Sequence, residues 1–390
     1  MFLRYTASAD NTIVNAFNKG FNTRGTGSNA GLADVLETFS IYGRQQASSS
    51  SDVGSQELSR ILIQFPITSI TSDRTAGTLP ASGSVNFYLR LFNAQHSKTV
   101  PRDYKLVVYP VSQSWQEGEG LDLENYKDVT NGNPGSNWLS ASNSSAWVKP
   151  GGDYITDNTN LIYEQSFANG LEDLEVNITP LVESWMAGSK QNYGVGVFLS
   201  SSYEAYFSGS DGQNSGSVLN NLEGAKKSYY TKRFFARGTQ YYFKRPLIEA
   251  RWDSTNRDQR SNFYFSSSLA PAADNLNTIY IYNFIRGKLT NIPSIGTGKL
   301  CVSLFSGSAT NTAPSGSALS LYDGKTMLTG GYVSTGVYSC SVGIVSSSTN
   351  PLYDVWFSGS DSVIDASTAA EQYFTGSISP KLYGAVTTQG

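Results

Sequence analysis

The chain has a single histidine, His96, in 390 residues, and that scarcity removes whole classes of chemistry. Serine and cysteine nucleophiles normally draw on a neighbouring imidazole, and most transition-metal sites need several. Cysteine is almost as rare: Cys301 and Cys340 both fall in strand-like runs of the C-terminal half. Two cysteines build neither a zinc cage nor a disulfide framework; they could bridge adjacent strands or remain buried thiols. Charge is also thin, at 15% of residues, and a net charge of −3 gives no basic field for nucleic acid. The densest basic stretch, Lys226-Lys227 to Lys232-Arg233, is interleaved with Tyr229, Tyr230 and Phe234. Such interleaving can hold a single strand, but the simpler expectation is a strand and turn with outward, solvated charges. No apolar run approaches the ~20 residues a membrane helix needs. Met1-Phe2-Leu3-Arg4-Tyr5 leads straight into polar sequence, without the pattern of an export signal. Neither a nucleic acid nor a membrane is therefore expected as partner, and a phage protein released by lysis would have this profile.

What is abundant is glycine (37), tyrosine (24) and phenylalanine (19). Aromatic and β-branched residues suit pleated, half-buried surfaces, and Gly, Ser and Asn suit the tight turns between them. With 39% hydrophobic residues spread along the chain, disorder is not expected. The length is comfortable for two domains that each bury a core.

Strand signals begin at Ser59–Phe65 and continue at Ser84–Phe92, where apolar and polar residues alternate, and at Tyr104–Pro110. A long polar region runs from Gly118 to Asp153. One short helix is predicted over Thr179–Met186, with Thr179 as N-cap, Pro180 in the first turn and Gly188 as the stop. Leu181 and Trp185, four apart, share its inner face. Strands follow at Val195–Leu199, Lys232–Phe235 and Arg245–Trp252. The charged stretch Asp253–Arg260 reads as a linker, after which strand signals resume at Phe263–Phe265, Thr278–Tyr282, Leu300–Phe305, Val337–Val342 and Val355–Phe357. The expected architecture is all-β: two antiparallel, jelly-roll-like β-sandwich domains, residues 1–254 and 255–390, with one short helix in the first. Phe-Ser-Gly-Ser occurs at 207–210, 305–308 and 357–360, and Phe-Thr-Gly-Ser at 374–377; irregular spacing points to strand-ending turns rather than repeats.

Two groups of side chains could carry chemistry. Glu117, Glu119, Asp122 and Glu124 cluster beside Trp115. Paired acids with an aromatic platform can cleave glycosides, but loop acids are more often solvated or bind Ca²⁺. The chain is expected to be no enzyme and to need no cofactor, with Ca²⁺ the one ion the acids could take. Trp115, Trp138 and Trp147 lie in or beside the long polar region. Exposed, they could stack on sugar rings; buried, they would anchor the loop.

Several motifs together resemble the DNRLRE domain family, β-sandwich modules of bacterial surface proteins also classed among carbohydrate-binding modules. The likeness covers residues 5–252. It rests on Ala9-Asp10-Asn11-Thr12-Ile13, Ser59-Arg60-Ile61-Leu62-Ile63-Gln64-Phe65, Val111-Ser112-Gln113-Ser114-Trp115-Gln116-Glu117-Gly118 and Trp147 with Pro150-Gly151-Gly152-Asp153-Tyr154. Further matches are Val176–Trp185, Asn192-Tyr193-Gly194-Val195 and Arg245-Pro246-Leu247-Ile248, in the family's order. Ala236-Arg237 stands where that family has Ser-Arg-Glu, and Ser-rich insertions interrupt the pattern at Gln46–Gln56 and Ser200–Ala225. The C-terminal part, with Arg251-Trp252-Asp253, Ser261-Asn262-Phe263-Tyr264 and Tyr353–Gly359, resembles structural proteins of T4-like marine phages. These resemblances imply a virion structural protein: a capsid decoration, head-fibre, neck or tail component that contacts other virion proteins and symmetry copies of itself. The alternative they imply is a carbohydrate-binding module for host-surface glycan.

Overall fold

A computed structural model describes residues 1–17, 24–46, 52–54, 56–95, 100–121, 135–208, 217–267, 271, 275–307, 316–344, 351–358 and 372–381. His96, Asp122 and Glu124 lie outside these. The chain divides into two compact units, Met1–Ser254 and Thr255–Gly390, and both are built of β-strands.

The first unit runs β1 (Phe2–Thr6), β2 (Ala9–Val14), β3 (Val35–Gln46), β4 (Asp52–Gly54) and β5 (Glu57–Gln64), then helix α1 (Ile67–Thr75). Next come β6 (Asn86–Leu91), β7 (Tyr104–Pro110), β8 (Ser140–Ser142), β9 (Ser145–Ala146), β10 (Tyr163–Phe167) and β11 (Leu174–Asn177). Helix α2 (Thr179–Met186) precedes β12 (Val195–Leu199), β13 (Lys227–Phe235) and β14 (Leu247–Arg251). One sheet has the order β1-β14-β6-β11. The larger runs β10-β7-β12-β5-β3-β13, with β2 beside β5 and β4 beside β3.

The two sheets close on one core, as alternation requires. Phe87, Leu89 and Leu91 come from the small sheet, and Ile61, Ile63, Leu106, Val108, Val195 and Val197 from the large one. Each such side chain contributes about 1.5–3 kcal/mol by leaving water. On the open face of the small sheet, Arg4, Arg90 and Arg251 interleave with Glu175 and Glu249 as ion pairs, four across strands and one, Arg251–Glu249, within β14. The large sheet buries a second face, where Ile13, Leu58, Leu62 and Val111 pack under Trp138, Ala141 and Trp147 from the long polar region. β5 is thus buried on both sides, which explains why Ile61-Leu62-Ile63 is apolar without alternation.

Helix α2 has the predicted limits, and Leu181, Val182 and Trp185 are buried. Its cap differs. Thr179 is the first helical residue, its hydroxyl serves Phe87 and Asn177, and Asn177 Oδ1 accepts the Thr179 N–H at 3.0 Å. A second helix, α1, was not expected, since Ile-Thr-Ser-Ile-Thr-Ser is poor in helix formers. Tertiary contacts override propensity: Ile70 is buried in the core, and Arg74 makes a two-pronged ion pair with Glu183 of α2 at 2.6 and 2.8 Å.

β13 corrects another expectation. Its alternation turns Lys232 inward, fully buried, where Nζ donates to Asn93 Oδ1 and the carbonyls of Gly170 and Glu172 at 2.7–2.9 Å. Lys227 on the same strand faces water.

The second unit comprises β15 (Phe263–Tyr264), β16 (Asn277–Tyr282), β17 (Phe284–Ile285), β18 (Lys288–Leu289) and β19 (Leu300–Ser306). It continues with β20 (Leu328–Ser334), β21 (Val337–Val342), β22 (Leu352–Ser358), β23 (Gln372–Ile378) and β24 (Pro380–Lys381). A six-stranded antiparallel sheet, β16-β21-β20-β19-β22-β23, carries the core, and β15 and β24 form a short parallel pair. Leu300, Val302, Tyr338, Cys340 and Trp356 face inward against Phe263, Ile292, Leu321 and Ile344. Cys301 packs with Val355 and Phe357 in a separate cluster. The two cysteines are buried and unbridged, on strands separated by β20, so they are not adjacent-strand partners. Residues 374–377 are also not a turn: Gly376 lies inside β23.

Candidate functional site

Polar chemistry collects on the second face of the large sheet. β5 turns Ile61 and Ile63 to the main core and Arg60 to the other side, between Leu58 and Leu62. An arginine there must find partners or unfold the strand. Its guanidinium sits 4.3 Å from the ring centroid of Phe198, 5.6 Å from Trp138 and 5.7 Å from Tyr154. Nη1 donates to Gly151 O at 3.2 Å, and Nη2 reaches both Glu204 oxygens at 3.4 Å. Arg60 Nε has no hydrogen-bond partner among the described residues. Burial pushes the Glu204 carboxyl above the usual carboxylate range, with Arg60 pulling the other way.

Tyr154 lies across this pair because β12 has a glycine beneath it. A Cβ on Gly196 would stand 2.1 Å from Tyr154 Cε1. The Tyr154 hydroxyl donates to Gly151 O at 2.9 Å, and burial raises the phenol to about 12. Tyr109 meets Phe198 edge-on at 5.3 Å. Together these residues floor a cleft of about 640 Å³, walled by residues 148–156 and by 201, 204 and 219–221 from the Ser-rich insertion. The rim carries Gln113, Lys149, Asp153 and Asn220. The Asp153 carboxylate accepts the N–H groups of Val148 and Lys149, which shapes one wall.

The three sequence-predicted tryptophans surround the long polar region as anchors. Trp138 is fully buried and donates from Nε1 to Ser217 O at 2.7 Å. Trp147 is buried and bonds Asn137 O at 2.8 Å; Trp115, half-buried, bonds Tyr193 O at 2.8 Å. Each indole N–H ties one segment to the backbone of another, and Trp138 and Trp147 offer no open ring face.

The acid cluster does not gather as a site among the described residues. Glu117 is committed to Arg237, with Oε2 2.7 Å from Nη2, and its Oε1 also accepts the Asp10 N–H at 2.8 Å. Asp10 in turn accepts the Arg237 N–H at 2.5 Å. Asp10, Glu117 and Arg237, from three distant segments, thus form one latch. Desolvation raises the Asp10 carboxyl to about 7, with Glu117 adding to the rise and Arg237 and Arg245 opposing it. Glu119 is exposed. No group of three or more His, Cys, Asp or Glu that could hold a metal occurs among the described residues.

Beyond the latch, residues 236–246 form a loop that presents three consecutive aromatics to water. Tyr241 is 52%, Tyr242 61% and Phe243 77% exposed. Tyr241 packs edge-on against Phe235, and Arg245 lies over Tyr242 while donating to Thr239 O. Gly238 brings this loop against the Leu32 and Ala33 carbonyls, and Leu32, bonded through its N–H to Gly120 O, is exposed together with Leu121.

Sequence reasoning missed Arg60, Glu204 and Tyr154 as one assembly. A usable signal was present: a charged residue between Leu58 and Leu62 on one face of a strand demands a buried partner, and glycine inside Val-Gly-Val-Phe-Leu marks a close approach. No known family model matches the chain, and no curated protein matches it as a relative.

Proposed function

We propose that the protein is a structural component of a bacteriophage particle that acts through protein–protein contact and catalyses no reaction. The observation that carries this reading is the run Tyr241-Tyr242-Phe243, held out to water. Large aromatics flanked by cations are the residues that dominate binding energy where proteins meet. The resemblance of residues 245–390 to structural proteins of T4-like marine phages supplies the setting, with copies of the chain and other virion proteins as neighbours. The test is particle composition: the chain should be present in purified virions at a fixed copy number. Particles carrying Tyr242→Ser and Phe243→Ser should lose it, while the isolated variant melts at the wild-type temperature. Absence from the particle, or full incorporation of the variant, sinks the proposal.

A second reading, recognition of a host-surface glycan, is favoured by the cleft over Arg60 and Glu204. It combines aromatic surface with convergent polar groups, as ligand sites do. Its test is glycan binding by the isolated protein.

A further inference from the structure

We propose that the Arg60–Glu204 cleft is a binding site for an uncharged sugar, taking the vicinal hydroxyls of a pyranose across the ion pair and its C–H face against Tyr109 and Tyr154. This rests on the glycan reading and names its site and ligand chemistry.

The buried ion pair leaves hydrogen-bonding capacity unused. The bonds between Arg60 and Glu204 are long, at 3.4 Å to each oxygen. A buried carboxylate and guanidinium at that separation are under-satisfied, and leaving such groups unpaired is costly. A hydroxyl both donates and accepts. Two neighbouring hydroxyls can therefore donate to Glu204 and accept from Arg60 together, which neither a simple anion nor a simple cation can do.

Charge points the same way. Arg60 and Lys149 are matched in the cleft by Glu204 and Asp153, so no net field draws an ion of either sign. The size of the cleft, about 640 Å³, is within the range of small-ligand sites. Asn220 and Gln113 at the rim add amide groups suited to hydroxyls. The Ser-rich insertion gains a role on this reading, because it supplies Glu204 and one wall.

The experiment is calorimetric titration of the full chain with neutral gluco-, galacto- and manno-oligosaccharides and with uronate oligosaccharides of the same length. A neutral oligosaccharide should bind, and Glu204→Gln should weaken it by roughly tenfold or more through loss of a charged acceptor. Tyr109→Ala, on the half-exposed edge of the cleft, should weaken it with the melting temperature kept, and so serves if Glu204→Gln proves unstable. Tighter binding of uronates would overturn the neutral-ligand assignment. Binding untouched by either folded variant would overturn the cleft while leaving the glycan reading standing. No binding by any sugar would remove both.

Discussion

Arg260 clasps the carboxylate of Asp354, with Nε 2.9 Å from Oδ1 and Nη2 on Oδ2, across 94 residues of sequence. Asp354 is fully buried on the core side of β22, and the Trp356 indole donates to the same carboxylate at 2.6 Å. Arg260 also holds Asp258 and the Tyr280 carbonyl. One buried carboxylate thus fastens the segment before β15 to β16 and β22.

Breaking a buried pair by removing one charge typically costs about 3–5 kcal/mol, because the other is left uncompensated. Asp354→Asn should therefore destabilise the second unit by about 3 kcal/mol, read by urea denaturation followed through tryptophan emission. Gly376→Ala should act in the same direction. Its Cβ would stand 2.6 Å from Asp354 Oδ1 and 2.8 Å from Arg260 Nε, which is why glycine sits inside β23. Wild-type midpoints in both variants would show that the pair is not what holds these elements.

Asp10 predicts a pH dependence. Burial raises its folded carboxyl to about 7, against about 3.9 in an unfolded chain. Between these values the native state binds more protons than the unfolded state, so this group's contribution is complete below pH ~4 and is lost as pH rises through 7. Asp10→Asn keeps an acceptor for the Arg237 N–H and removes the buried charge. The variant should match wild type near pH 4 and melt higher at pH 8. A variant that melts lower at pH 8 than at pH 5, as wild type should, would place the dependence on another group.

The fold was legible where one local signal sufficed. β7, α2, β12 and β21 fall at the predicted limits because alternation, Pro180 and Gly188 act within a few residues. Helix α1 was hidden because its stability comes from Ile70 in the core and from Glu183, 109 residues from Arg74. The candidate site was less legible for the same reason. Arg60 and Glu204 are 144 residues apart, and Glu117 is 120 from Arg237, so Glu117 looked like a free loop acid when it is one side of a latch. Spacing along the chain cannot reveal such partners; only the misplaced charge in β5 announced that one was needed.

Lys232 separates a buried charge from a solvated one on the same strand. Lys232→Met keeps the length but leaves Asn93 Oδ1 and the Gly170 and Glu172 carbonyls without their donor. The expected cost is about 3 kcal/mol, whereas the exposed Lys227→Met should stay within about 0.5 kcal/mol. Burial also pulls the Lys232 ammonium down to about 8, below its unfolded value of about 10.4. The unfolded chain then holds the extra proton between those values, so this lysine's contribution rises with pH there. The gap between wild type and Lys232→Met should widen from pH 8 to pH 10 in thermal melts; equal costs for the two substitutions would contradict the inward placement.

Gly196 tests whether the cleft depends on the approach of one ring to one strand. Its backbone is part of β12, paired with Leu62 on one side and Tyr109 on the other, so it cannot retreat without breaking two ladders. The Cβ of Gly196→Ala would overlap Tyr154 Cε1, and the ring, not the strand, must move. Tyr154 would then leave its contacts with Phe198 at 4.9 Å and with Gly151 O, uncovering Arg60. Overpacking of this kind costs about 1–3 kcal/mol, and the double variant Gly196→Ala/Tyr154→Ala should recover part of it by removing the clash. If the single substitution is silent in denaturation and the double one only adds further loss, the ring is not held by the absence of that side chain.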